Sequence, residues 1–215
     1  MHRSFTTSSS ACAKTFGRIH AASMFDGRTE ARPMKPLFTL HAGEYLVAAH
    51  LEKQFKRAQV WIPLRDTGID LLVSDSRNRK TTSLQVKFSK DFLVTHMRPE
   101  FQKELRACGW WTINRDKLAK SSAEYWVFVL QGFASRSTDF VVVPSRELLK
   151  TLDAVHGRRK TIQVYIWVTE RNKCWETRGL SRSAQLQVAH AEFRDKNRDL
   201  TEWLNNWTPV SRLNR

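Results

Sequence analysis

The stretch SLQVKFS, residues 83–89, decides how the chain is read. Leu84, Val86 and Phe88 alternate with Gln85 and Lys87, the two-residue period of a β-strand with one apolar face. An amide and an ammonium then stand side by side on the other face. On a solvent-facing surface such a pair carries no chemistry. Lining a cleft, it is a candidate active site.

The neighbouring segments extend this reading. AQVWIPL, residues 58–64, reads as a strand, RDTG, residues 65–68, as a turn, and DLLVS, residues 70–74, as a second strand. SRNRKTT, residues 76–82, is a polar and basic connection. Three strands with short links predict an antiparallel meander. Before them, residues 40–57 read as a helix, because Val47, Leu51 and Phe55 recur every four residues and mark a buried stripe. Glu44 precedes Val47 by three and falls on or beside that stripe. A carboxylate there is costly unless paired, bound to metal or at a cleft edge. Its place in the first turn also lets the helix N-terminus stabilise it.

Downstream, residues 99–108 and 114–119 read as helices around Trp110 and Trp111. Residues 124–133 and 139–145 read as strands, and a helix follows over residues 145–155 with Ser145 as its N-cap. Residues 161–170 read as a strand and residues 193–207 as a C-terminal helix. The order α-β-β-β-α-β, followed by further β and α elements, predicts one mixed sheet flanked by helices.

The chain has 215 residues and a formal net charge of +15, with a pI near 10.2. Residues 34–144 and 145–215 each carry a net +6, so the basic character is spread along the folded part. That points to a polyanionic partner, with nucleic acid first. No apolar run approaches the ~18 residues that cross a bilayer, so no membrane association is expected. Cys12, Cys108 and Cys174 are far apart and odd in number, which gives neither a zinc spacing nor a disulfide framework and fits a reducing cytoplasm. The seven histidines form no metal-binding arrangement, and Trp110, Trp111, Trp126 and Trp167 read as core. Residues 1–33 are rich in Ser and Thr, poor in acids and without apolar periodicity. They are expected to be a disordered extension, or to lie upstream of a true start at Met34, leaving one domain over residues 34–215.

Asp70, which opens the second strand, and the Gln85–Lys87 pair on the third can converge at one end of an antiparallel sheet. Here the sequence resembles the PD-(D/E)XK, or restriction-endonuclease-like, nucleases. The resemblance rests on TGIDLLV followed by LQVKFS, with GEYLVAAHLEKQF upstream, and covers residues 43–130. It implies an α/β fold with a restriction-endonuclease-like αβββαβ core, a mixed central sheet flanked by helices and a C-terminal β/α extension. Asp70 matches the acidic metal ligand, Lys87 the catalytic lysine and Glu44 the helix acid. Gln85 stands where the pattern usually has Glu or Asp, as in the QxK variant sub-group, where Asp66 also falls at an acidic position. The resemblance implies a Mg²⁺-dependent endonuclease, with Mn²⁺ as an alternative ion, acting on nucleic acid, first of all double-stranded DNA, and a homodimer for duplex cleavage. Gln brings a carbonyl oxygen but no charge, which leaves a nuclease-like binding protein without cleavage as the alternative. Arg77, Arg79, Lys80 and Lys90 are candidate phosphate contacts beside the motif strands, and Arg158, Arg159 and Lys160 form another basic cluster.

Overall fold

The computed structural model describes residues 42–65, 67–89, 98–132 and 136–214. The extension expected over residues 1–33 lies outside them. Helix α1 (Ala42–Gln54) buries Glu44, Val47 and Leu51 on one stripe, as their spacing predicts. Strands β1 (Gln59–Trp61), β2 (Leu71–Ser74) and β3 (Thr81–Ser89) follow as the expected antiparallel meander, with Leu71 opposite Leu84 and Ser74 opposite Thr81. Leu84 and Val86 are buried, whereas Phe88 near the end of the strand is exposed.

After β3 the chain departs from expectation. Only Pro99–Gln102 is helical (α2), and residues 105–108 belong to strand β4 (Leu105–Asn114) instead of a helix. Ala107, Trp111 and Ile113 point into the core, but the strand's apolar alternation has a gap at Gly109. A side chain at Gly109 would collide with the indole of Trp111, which fills that space. Helix α3 (Arg115–Ala119) matches the expected one, with Asn114 Oδ1 accepting from Lys117 N at 3.0 Å as its cap.

Strand β5 (Tyr125–Gly132) then pairs with β3 in parallel, and β6 (Ser137–Pro144) pairs antiparallel with β5. The result is a mixed five-stranded sheet in the order β1-β2-β3-β5-β6, flanked by helices, in an α/β fold. Helix α4 (Ser145–His156) starts at the expected residue, but Ser145 is not its side-chain cap. Pro144 occupies the cap position, and the Ser145 hydroxyl donates to the Ala123 carbonyl.

Strand β7 (Thr161–Thr169) pairs with β4 and with β8 (Cys174–Glu176), so the sheet expected to be single is two. Ala107, Trp111, Phe128, Val141, Leu148 and Ile166 join the second sheet and α4 to one face of the first. Val47, Leu51, Leu84, Val127 and Trp207 bind α1 and the C-terminal segment to the other.

The helix expected over residues 193–207 is absent. Its place is taken by an irregular segment with a short 3₁₀ turn (Thr201–Trp203) and single bridges from Asp199 to Trp175 and from Leu204 to Val141. Leu200 and Trp207 anchor this segment in different clusters, which no one helical stripe can do. Helical structure lies just before it in α5 (Arg182–Ala189), capped by Ser181, and just after it in α6 (Thr208–Ser211). No helix among the described residues is long and apolar enough to cross a membrane. Cys108 and Cys174 are buried free thiols.

A paired ion bond fixes α3 against α4. Arg115 Nε and Nη2 donate to the two Asp153 carboxylate oxygens at 2.7 and 2.6 Å. The guanidinium holds the Asp153 carboxyl below its ordinary value of 3.8. A depressed folded value contributes stability above the unfolded value and loses it as pH falls. Asp153→Asn is therefore expected to lower the melting temperature at pH 7, with the gap to wild type closing as pH drops below 3.8. Thermal melts across pH 2–7 check this, and a gap as wide at pH 2 as at pH 7 contradicts it.

Candidate functional site

The site begins with a sharp turn. Gly68 takes φ +82°, a left-handed conformation that glycine adopts without strain, and turns the chain into Asp70. Ser122 Oγ donates to the Thr67 carbonyl at 2.9 Å, docking this turn on the segment that precedes β5. Asp70 N donates to Leu84 O at 2.8 Å, which extends the β2–β3 ladder by one residue.

The Asp70 carboxylate then turns to β3. Its Oδ2 accepts from Val86 N at 2.8 Å and from the Gln85 side-chain amide Nε2. Asp70 is 7% exposed, and a buried carboxylate needs such donors. The strand alternation thus acquires a purpose. Leu84 and Val86 bury their side chains toward α1, while Gln85 lies opposite Trp126, and Lys87 opposite Phe128, in the parallel β3–β5 register. Lys87 Nζ sits 5.2 Å from the Trp126 ring centroid, a cation–π distance.

Glu44 reaches the same place from α1. Gly43 permits this, because a Cβ on it would stand 2.6 Å from Phe88 Cβ and 3.3 Å from Val86 Cγ1. The first turn of α1 therefore rests directly on β3, and Glu44, 3% exposed, lines a cleft together with Asp70, Gln85 and Lys87. The four residues singled out from the sequence share one cleft of about 1130 Å³. Its opposite wall is the segment from Asn114 through α3 to Ser122, bringing Asp116, Lys117, Lys120 and Ser121 to the cleft. Sequence reasoning missed Lys117 and Lys120, since only the parallel return of β5 to β3 places them there. Trp126 is core, as expected, and also forms part of the cleft lining.

Three of the four expected phosphate contacts are not at this cleft. Arg77, Arg79 and Lys80 lie on the β2–β3 turn, at the far end of β2 from Asp70. Ser74, where that turn begins, is about 13 Å along the strand from Asp70 at ~3.3 Å per residue. Asp66 and Lys90 fall outside the described residues. Lys160 borders α3, with its carbonyl accepting from Arg115 N at 2.9 Å, but neither it, Arg158 nor Arg159 lines the cleft.

The donor set suits a hard cation. Two carboxylates, Glu44 and Asp70, and the amide oxygen of Gln85 are all oxygen ligands of the kind Mg²⁺ takes. Among the described residues no three His, Cys, Asp or Glu side chains form a metal-binding group. The site lacks one charge relative to a three-carboxylate set but keeps three oxygen-bearing side chains. No protein-family model, curated protein or solved structure matches the chain.

Gly43 is the residue on which the cleft's geometry can be tested. Replacing it with Ala adds at most about 1 kcal/mol of helix propensity. Forcing a methyl group against the backbone-proximal Phe88 Cβ costs about 1–3 kcal/mol. The clash wins, so Gly43→Ala is expected to lower the melting temperature by several degrees, roughly 2–4 °C per kcal/mol at this size. An unchanged or higher melting temperature would show that α1 is not held against β3 by this contact.

Proposed function

We propose that the chain is a Mg²⁺-dependent endonuclease hydrolysing phosphodiester bonds in nucleic acid, with duplex DNA the first substrate and Mn²⁺ a substitute ion. One observation carries the reading. Asp70, Gln85, Lys87 and Glu44 come from three separate segments and line one cleft, with Asp70 and Gln85 in direct contact. The meander followed by a parallel strand agrees with the core order of the PD-(D/E)XK nucleases, although β4 and the short α3 stand where that order has a single helix.

In this reading Glu44, Asp70 and the Gln85 carbonyl oxygen hold the cation. Bound there, the ion would supply an acidified water and offset charge on the scissile phosphate. Lys87, held over Trp126, would orient the attacking water and donate to a phosphate oxygen as negative charge builds. Lys117 and Lys120 on the facing wall bind the flanking phosphates and fix the strand's path without reading its sequence. A homodimer would present two such clefts to the two strands of a duplex.

Asp70→Asn, which keeps an acceptor for Val86 N–H, and Lys87→Ala are each expected to reduce Mg²⁺-dependent plasmid cleavage by about a hundredfold or more. Circular dichroism should leave both variants folded. Wild-type cleavage rates in either variant would refute the assignment.

A second reading is a nuclease-like protein that binds nucleic acid without cutting it, and the Gln85 contact favours it. Gln85 directs its amide nitrogen, not its oxygen, at Asp70. Its oxygen can reach an ion beside Asp70 only if the amide turns over and gives up that hydrogen bond. Under this reading wild type binds but does not cleave, and Gln85→Glu switches cleavage on. The same change brings two carboxylates together. It should therefore lower the melting temperature in chelator and have it restored by Mg²⁺, a comparison readable by calorimetry without any substrate.

A further inference from the structure

The far end of the sheet from the cleft has its own organisation. Gln59 pairs with Ser74, so the residues leading into β1 and the turn leaving β2 meet there. That end carries five exposed cations: Lys56 and Arg57 before β1, and Arg77, Arg79 and Lys80 on the turn. The one carboxylate of the turn, Asp75, attracts Lys80 but leaves the cations of this end in excess. Asp75 is buried, and its Oδ1 accepts from Arg79 N at 2.6 Å and Lys80 N at 3.0 Å. The same bonds give the turn a fixed shape, completed by Asn78 at φ +55°.

Beside this turn stands Trp61. Its Nε1 donates to Ser74 Oγ at 3.0 Å, and Ser74 Oγ donates in turn to Asn78 Oδ1 at 2.7 Å. The indole's polar edge is thereby tied to the base of the turn, yet the side chain remains 49% exposed. A tryptophan held in one orientation, half open to solvent and next to a group of cations has both parts of a single-strand contact. The ring offers a stacking face for a base, and the cations track the phosphates on either side. A base inside a duplex has both faces covered by its neighbours, so the ligand that fits is unpaired.

We propose that this end of the sheet is a second nucleic-acid site, where an unpaired base stacks on Trp61 while adjoining phosphates meet Arg77, Arg79, Lys80, Lys56 and Arg57. The surface lies about 13 Å from Asp70 along β2. That is roughly four stacked nucleotides at 3.4 Å each. A strand reaching from this site to the cleft would therefore be unpaired on one side of the position acted on. The assignment shares with the proposed function a nucleic-acid partner, but it does not depend on cleavage.

The test is fluorescence anisotropy of a labelled single-stranded oligonucleotide, and of the same sequence as a blunt duplex, in chelator so that no cleavage occurs. Trp61→Ala is expected to weaken single-strand binding about tenfold or more and to change duplex binding far less. Trp61→Phe, which keeps the ring but not the N–H, should retain most of the affinity. Arg77→Ala, Arg79→Ala and Lys80→Ala together should reduce the slope of log affinity against log salt by about 2. Wild-type single-strand affinity in Trp61→Ala, an unchanged salt slope in the triple variant, or equal losses on duplex and single strand would each overturn the proposal. These results read independently of catalysis. A wild-type chain that binds as described but never cuts leaves this site standing and removes the nuclease reading.

Discussion

The hydrogen bonds of the Asp70 carboxylate hold the candidate site together. A carboxylate at 7% exposure is costly to bury without donors, and this one accepts from Val86 N–H and the Gln85 amide, both on β3. Accepting them locks the start of β2 to the middle of β3. It also sets the strand's register to the residue, since a slip of one would turn Gln85 and Lys87 toward α1. Register fixes the face, and the face decides whether Gln85 and Lys87 meet the cleft. The same bonds that satisfy a buried charge therefore place the side chains with chemistry to offer.

Two further contacts complete the arrangement. Close approach at Gly43 lays α1 on β3 and brings Glu44 into the cleft lining. The Ser122 bond to Thr67 ties the opposite wall to the turn before Asp70. Behind that wall, the Arg115–Asp153 pair holds α3 on α4. Each of these is local, yet together they join segments more than 70 residues apart in the chain around one cleft.

Much of this was legible in the sequence, for identifiable reasons. The meander, β5, β6 and β7 announce themselves by alternation or by unbroken apolar runs, and Glu44 stood out as an acid on an apolar stripe. Strand β4 was not legible, because its inward positions include Ala107 and Gly109, and Trp111 supplies the volume that Gly109 lacks. Without Trp111 seen in place, the gap reads as a break in the pattern. The irregular segment over residues 193–207 carries enough apolar residues for a helix, but Leu200 and Trp207 are drawn to different clusters. Lys117 and Lys120 became part of the site only through the parallel pairing of β5 with β3, a long-range event with no local signature. The basic turn was misplaced for a simpler reason. A hairpin turn lies at the end of the strands opposite the residue that opens the first of them, so Arg77, Arg79 and Lys80 cannot flank Asp70.

The chemistry then turns on a single amide. With Glu at position 85 the site would hold three carboxylates and repel itself without a cation. With Gln it is self-consistent as it stands, because the amide donates to Asp70. In the proposed reading, ion uptake would cost that hydrogen bond, which should make the affinity for divalent ions modest. The most direct test is anomalous diffraction from crystals grown with Mn²⁺. The account predicts a peak in the cleft against the Asp70 carboxylate, with Glu44 beside it and the Gln85 amide turned to present its oxygen. An ordered cleft with no peak there, and Gln85 Nε2 still bonded to Asp70, would contradict it.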